Sequence, residues 1–105
     1  MGNRLTKIYT RTGDKGETGM ATGERVAKDS AIMQAQGDVD ELNSLLGLLA
    51  CKLDGEIEAD VKAVQHDLFN LGGELSCAQP LVGQERIDWL EQKLDQLNEE
   101  LPPLK

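Results

Sequence analysis

From residue 39 onward, leucine and its aliphatic relatives recur at helical spacing; before that they do not. Val39, Leu42, Leu46, Leu49 and Leu53 are separated by three, four, three and four residues. That stripe predicts a first helix, capped at Asp29 or Ser30 and ending near Leu53, ahead of Asp54-Gly55. Ile57, Val61, Val64, Leu68, Leu71 and Leu75 continue the period as a heptad-like seam, which predicts a second helix from about Glu56 to Cys77. Gly72-Gly73 inside it either allow close packing or mark a kink. Pro80 through Gly83 reads as a loop. A third helix is expected from about Gln84 to Glu100, with Ile87, Leu90, Leu94, Leu97 and Leu101 inward, and Pro102-Pro103 stops it. Residues 1–28 show no such period: Lys7-Ile8-Tyr9-Thr10 fits a short extended segment and Arg11 to Gly23 a loop. The expected fold is all-α, an antiparallel bundle of three helices over 29–101 behind a Gly-rich loop at 1–28, in one domain spanning 1–105.

Composition narrows this picture. A chain of 105 residues holds one small domain. With 39% hydrophobic and 29% charged residues it belongs with globular chains. One Phe, one Trp and one Tyr leave an aliphatic core. No apolar run approaches the ~20 residues of a membrane helix, and the N-terminal charges precede no apolar core of a secretion signal. A cytoplasmic location is expected, with Cys51 and Cys77 as reduced thiols rather than a bridge. His66, the single histidine, has no Cys or His at ligand spacing and reads as a solvated or locally bonded helix residue.

The net charge of −8 argues against a nucleic-acid or anionic-membrane partner. The charge is unevenly spread. Residues 1–28 carry Arg4, Lys7, Arg11, Lys15, Arg25 and Lys28 against Asp14, Glu17 and Glu24, a net +3, whereas the remaining 77 residues net −11. A basic head on an acidic body points to one localised anion site.

The head also holds five of the eleven glycines, three of them in the run Thr10-Arg11-Thr12-Gly13-Asp14-Lys15-Gly16-Glu17-Thr18-Gly19. Glycines let neighbouring N–H groups converge on a phosphate. The hydroxyls of Thr10, Thr12 and Thr18 can donate to the same oxygens. Arg11, Lys15, Arg25 and Lys28 supply charge, and Asp14 can help hold magnesium, directly or through water. The run is no Walker A loop, since Lys15 precedes Gly16, and no dinucleotide fingerprint, since no apolar strand feeds it. On the residues alone two readings stand: a phosphate site, or a flexible polar arm.

Beside the leucine stripe of the first helix, Asp40, Asn43, Ser44, Gly47 and Cys51 share a face of small residues that admits another helix or a ligand. Asp40 is either solvated or paired outside this chain, because Lys62, Arg86 and Lys93, the basic residues of the later helices, offer no obvious match. Asp38 and Asp40 lie about 200° apart around the helix and make no metal pair. On the second helix Glu58, Gln65, Phe69, Gly72 and Ser76 form a similar flank. Phe69, off the main seam, reads as an inter-helix or inter-subunit filler or as a wall for a large apolar ligand.

Three stretches carry a resemblance. They are Lys7-Ile8-Tyr9-Thr10-Arg11-Thr12-Gly13-Asp14-Lys15-Gly16, Gly23-Glu24-Arg25-Val26-Ala27-Lys28-Asp29 and Gly37-Asp38-Val39-Asp40-Glu41-Leu42-Asn43-Ser44. Gln65 to Leu75 and Leu101-Pro102-Pro103-Leu104-Lys105 fit as well. Together they resemble the ATP:cob(I)alamin adenosyltransferases of the propanediol-utilisation O type, in order and over essentially the whole chain. The resemblance implies a homotrimer of five-helix bundles with sites between subunits. It implies transfer of the 5′-deoxyadenosyl group from ATP to the reduced cobalt of a corrinoid such as cobalamin, with magnesium, releasing triphosphate. Carried over by position, Thr10, Arg11, Thr12, Gly13, Asp14, Thr18, Gly19 and Lys28 would hold ATP, while Asp40, Asn43 and Phe69 would lie on the intersubunit and corrinoid side. Asp40 would meet an arginine of a neighbouring subunit. Cobalt(I) is itself the nucleophile in that reaction, so no catalytic side chain and no protein-held metal are expected.

The chain departs from the family mildly at Ser30, Gln36 and Met20-Ala21-Thr22. It also lacks the two further helices, with their paired arginines and glutamate, that complete the family's ATP site. It is therefore expected to be a truncated form, weak or inactive alone. The alternatives are a non-catalytic helical oligomer that keeps the family core, and a small acidic adaptor; the motif-rich head argues against the adaptor.

Overall fold

The computed structural model describes residues 7–104. Arg4 of the basic head and Lys105 of the last matching stretch lie outside the described residues. The elements run β1 (Glu17–Gly19), β2 (Arg25–Ala27), α1 (Ala31–Ala50), α2 (Gly55–Cys77) and α3 (Gln84–Glu99). The helical class and all three helices agree with the sequence pattern. The two strands do not: β1 lies within residues 11–23, expected to be loop, and β2 follows in the part of the head for which no strand was expected. They pair antiparallel, with Glu17 opposite Ala27, Thr18 opposite Val26 and Gly19 opposite Arg25. Thr18 and Val26 are the half-buried members, one per strand, so no period of two could emerge from the sequence. Lys7 to Thr10 is exposed and belongs to no strand.

Ser30 stands at the N-cap of α1 in extended conformation, but its hydroxyl caps nothing. Instead the Gln34 side chain reaches back and donates to the Asp29 carbonyl at 3.2 Å. The helix stops at Ala50 rather than Leu53 because the chain tightens there: Lys52 N–H bonds the Leu49 carbonyl and Leu53 N–H the Ala50 carbonyl, both across three residues. Gly55, at φ +65°, makes the turn into α2 in a conformation that suits glycine. Glu56 and Glu58 then sit in the first turn of α2, where the helix dipole favours acids.

Helix α2 continues unbroken through Gly72-Gly73. Gly73 is there for close packing: a Cβ on it would come within 2.9 Å of Leu81 in the loop that follows. Ala78 ends the helix in the left-handed region, φ 55°, its N–H bonded to the Glu74 carbonyl at 2.8 Å.

α1 and α2 form the packed pair, and the face they share is offset from the leucine stripe. Gln36, Val39, Asn43, Leu46, Gly47 and Ala50 turn toward α2, with Ala50 the buried one, while Leu42 and Leu49 stay exposed. The offset has a polar cause. Asn43 Nδ2 donates to the Gln65 carbonyl at 3.4 Å, and Gln65 Nε2 donates to the Asn43 carbonyl at 3.0 Å. Gly47 leaves room for this pairing, since a Cβ there would stand 2.9 Å from Gln65 Nε2. The small face of α1 thus receives another helix.

The expectation for α3 requires correction. Its stripe Ile87, Leu90, Leu94, Leu97 and Leu101 faces outward, with Leu94 and Leu97 each about two-thirds exposed. The face toward α2 is Arg86, Trp89 and Lys93, which repeats at three and four residues one position away. Arg86 grips the Asp67 carboxylate through two donors, Nε at 2.8 Å and Nη2 at 3.0 Å. Lys93 bridges Glu56 and Asp60, each at 3.2 Å. Both cations also sit over the Trp89 ring. α3 is therefore held by charge and an aromatic plate, and its leucines are left over.

Candidate functional site

The β1–β2 hairpin shapes the basic head. Met20 N–H and Gly23 N–H close its far end on the Glu24 and Met20 carbonyls, at 2.7 and 2.9 Å. At its near end the chain turns over Gly13 to Gly16, with Gly16 N–H on the Gly13 carbonyl at 3.2 Å and Lys28 N–H on the Gly16 carbonyl at 2.8 Å. Gly16 needs its glycine, having φ +94°. Around this turn the structure assembles several of the residues singled out in the sequence. The Thr10 and Thr12 hydroxyls are hydrogen-bonded to each other at 2.9 Å. The Lys28 side chain crosses the turn so closely that a Cβ on Gly13 would lie 3.1 Å from Nζ. No backbone carbonyl among the described residues accepts from the N–H groups of Gly13, Asp14 or Lys15, which leaves three donors beside that amine.

Arg11 adopts φ 60°, the left-handed region, which a non-glycine residue enters at a cost of roughly 1–2 kcal/mol. Its guanidinium lies 5.0 Å from the centre of the Tyr9 ring. Strain of this kind concentrates where a chain must present a ligand-binding group. Asp14 and Lys15 are exposed on the turn; Thr18 is half-buried in β1, and Gly19 sits at the strand end opposite Arg25. Asp14 presents an exposed carboxylate of the kind magnesium takes, one or two at a time with water and phosphate completing the shell. Arg25 departs from the sequence reading. It is turned into the protein: Nη2 donates to the Thr12 carbonyl at 2.9 Å and to the Glu17 carbonyl at 3.2 Å.

The second candidate region is the open groove along α1 and α2. A hollow of about 520 Å³ is lined by Asn43, Lys62, Gln65, His66 and Phe69. A second of about 480 Å³ adjoins it at Asp40, Asn43, Ser44 and Gln65. A third, of about 240 Å³, runs between Gln36, Asp40, Phe69 and the two glycines of α2. Asp40, Asn43 and Phe69 thus border one continuous groove. Phe69 is 75% exposed, so it fills no gap between the helices of this chain. Asp40 has no ion pair among the described residues, and the cations of the later helices are taken: Lys62 by Glu58 at 2.8 Å, Arg86 by Asp67, Lys93 by Glu56 and Asp60. Gln65 lines the groove as a member of the flank that also carries Phe69, whereas His66, read as a helix-surface residue, was not expected there. Cys51 and Cys77 are free thiols. No helix among the described residues is long and apolar enough to cross a membrane.

A strained, glycine-turned basic loop ahead of a helical pair defines an α-helical protein with a basic head. The chain belongs to the cobalamin adenosyltransferase family, whose model matches residues 8–105. It is 49% identical over 107 residues to a cobalamin adenosyltransferase of Cupriavidus metallidurans, covering 99% of this chain and 58% of that protein. It is 38% identical over 108 residues to the corrinoid adenosyltransferase of Bacillus subtilis, covering 94% of this chain and 55% of that one. Among solved structures it is similar to a variant PduO-type ATP:corrinoid adenosyltransferase from Lactobacillus reuteri complexed with cobalamin and ATP. The TM-score is 0.82 at 28% identity, over 94% of this chain and 59% of the other. The chain thus spans somewhat under three-fifths of the length of each of these three relatives.

Proposed function

We propose that this chain works in an ATP:corrinoid adenosyltransferase, with the head holding ATP and the groove between α1 and α2 on the corrinoid side. The observation that carries the reading is the arrangement at the turn. Lys28 Nζ crosses Gly13, and the Thr10–Thr12 hydroxyl pair stands around it with the N–H groups of Gly13, Asp14 and Lys15, which no backbone carbonyl among the described residues accepts from. Such a cluster suits a triphosphate, whose charge must be neutralised as it leaves. Thr10, Arg11, Thr12, Gly13, Thr18, Gly19 and Lys28 contact the nucleotide, and Asp14 contacts magnesium carried on it. In the reaction a bond forms between cobalt and C5′ of the nucleotide, the C5′–oxygen bond breaks, and triphosphate departs with that bond's electron pair. No side chain of the protein need act as nucleophile or base. Its tasks are to align the two substrates and to exclude water.

The exposed Asp40, beside a groove that this chain leaves open, supports a second subunit there, in a homotrimer whose arginine meets that carboxylate. Free thiols at Cys51 and Cys77 fit a cytoplasmic setting.

The test is direct. The protein is mixed with magnesium, ATP and chemically reduced cobalamin, and the corrinoid spectrum is followed for adenosylcobalamin. ATP binding is titrated separately. Arg11→Ala and Lys28→Ala should each weaken ATP binding. Tight ATP binding that neither substitution disturbs would remove the head from the site. Binding without any adenosylcobalamin, in a protein that carries the family's two further helices as well, would favour the second reading, a helical oligomer that keeps the family core without its chemistry.

A further inference from the structure

Arg25 is engaged differently from the other cations of the head. Arg11 lies over Tyr9 and Lys28 crosses the turn, whereas one nitrogen of Arg25 bonds two backbone carbonyls, Thr12 at 2.9 Å and Glu17 at 3.2 Å. Those carbonyls bracket the turn Gly13–Gly16 on either side. The strand register sets Arg25 opposite Gly19, and the side chain runs back from there along the hairpin toward Thr12. A Cβ at Gly19 would meet Arg25 Nη1 at 3.7 Å, ordinary contact, so the guanidinium rests on that strand end as it passes.

We propose that Arg25 is a positioning residue, a clasp that closes the nucleotide turn before ATP arrives, and not itself a phosphate ligand. The proposal rests on the reading of the head as the ATP site. Bridging Thr12 and Glu17 holds the ends of the turn together. The N–H groups of Gly13, Asp14 and Lys15 and the Lys28 amine then keep their relative places without a ligand. A loop ordered in advance binds more tightly because less ordering remains to be done on association. The side-chain type matters. Nη2 carries two protons on a planar fork, while a lysine ammonium sits on a stem one bond shorter and does not reach both carbonyls.

The test compares Arg25→Gln, Arg25→Lys and Lys28→Ala in the full chain. Amide exchange at Gly16 and Lys28 is measured without ATP, and MgATP is titrated calorimetrically. Both Arg25 variants should speed that exchange about tenfold and raise the Kd for ATP by a similar factor, as expected for losing one or two hydrogen bonds that close a turn. Lys28→Ala should raise Kd while leaving the Gly16 amide at the wild-type rate. Wild-type behaviour of Arg25→Lys in both measurements would overturn the clasp and make Arg25 a source of charge alone. So would a Gly16 amide that already exchanges at the free-peptide rate in the wild type. A wild-type chain that binds no ATP would instead remove the nucleotide reading, while the exchange rates would still decide whether Arg25 closes the turn.

Discussion

Gly13→Ala is the sharpest probe of the head, because the structure gives the size of the disturbance. A Cβ at this position would stand 2.8 Å from the Glu17 carbonyl oxygen, about 0.6 Å short of ordinary contact at 3.4 Å. It would also come within 3.0 Å of Lys28 Cε. The lysine can swing aside. The carbonyl cannot, because it belongs to β1 and accepts from Arg25. Gly13 does not have the positive φ of Gly16 or Gly23, so the backbone itself tolerates alanine and the effect is one of contact. Forcing a methyl group into such a space costs about 1–3 kcal/mol, and where that cost falls on the binding-ready head it raises the ATP Kd about fivefold to somewhat over a hundredfold. Calorimetric titration with MgATP measures it. Gly37→Ala serves as the control: no atom lies within 4 Å of its added Cβ. As an interior helix glycine, Gly37 should give about 1 kcal/mol of added stability when replaced by alanine. A Gly13→Ala protein with wild-type ATP affinity would refute the placement of Lys28 and Glu17 around a nucleotide turn.

Three further outcomes follow from the body of the protein. Ala78→Gly relieves a left-handed alanine at the end of α2 and should add about 1 kcal/mol, raising Tm by about 5 °C; an unchanged melting curve would mean the helix ends differently in solution. Gln65→Ala removes the side-chain bond to the Asn43 carbonyl and should cost about 1 kcal/mol in urea unfolding, whereas no loss would place the α1–α2 contact elsewhere. Lys93 has its pKa raised by its hydrogen bonds to Glu56 and then Asp60. A raised pKa means the folded state holds the proton more tightly, so this stabilisation is complete below the ordinary lysine value of about 10.4 and fades as pH climbs through the folded value. The stability gap between wild type and Lys93→Met should therefore close across strongly alkaline pH; a gap that persists there would show that the pair contributes through packing.

The helices were legible because leucine and valine repeat at three and four residues over more than sixty positions, a signal that no loop imitates. Which face of each helix meets its neighbour was less legible. The α1 stripe pointed to Leu42 and Leu49, yet Asn43, Gly47 and Ala50 form the contact, because a reciprocal amide pairing and a missing Cβ bring the helices together there. In α3 the leucines read as core, but Arg86, Trp89 and Lys93 hold the helix through partners about twenty to forty residues away, which no local pattern reveals. The hairpin was invisible because each strand has three residues and one half-buried side chain. In the head, Arg25 and Lys28 are equivalent as charges in the sequence. The fold separates them by directing one at carbonyls and laying the other across the turn.

That separation bears on where an anion can settle on a chain of net charge −8. An acidic surface repels a triphosphate, and at physiological salt the repulsion reaches only about 8 Å. The outcome is therefore decided locally, by which cations still have donors to offer. In the body, Lys62, Arg86 and Lys93 each already hold a carboxylate, Lys52 stands exposed with no ion pair among the described residues, and the groove beside Asn43 carries Asp40 at its edge. In the head, Lys15 has no ion pair and Lys28 none, among the described residues, and three backbone N–H groups stand beside them. The acids that neutralise three of the body's cations thus leave the Gly13 turn as a place where cations and unbonded N–H groups cluster together. A neutral or apolar ligand faces the opposite balance and gains more from the Phe69 side of the groove. Under the proposed reading, an anionic nucleotide and a large apolar ligand would be sorted to these two regions without either region having to exclude the other's ligand by shape.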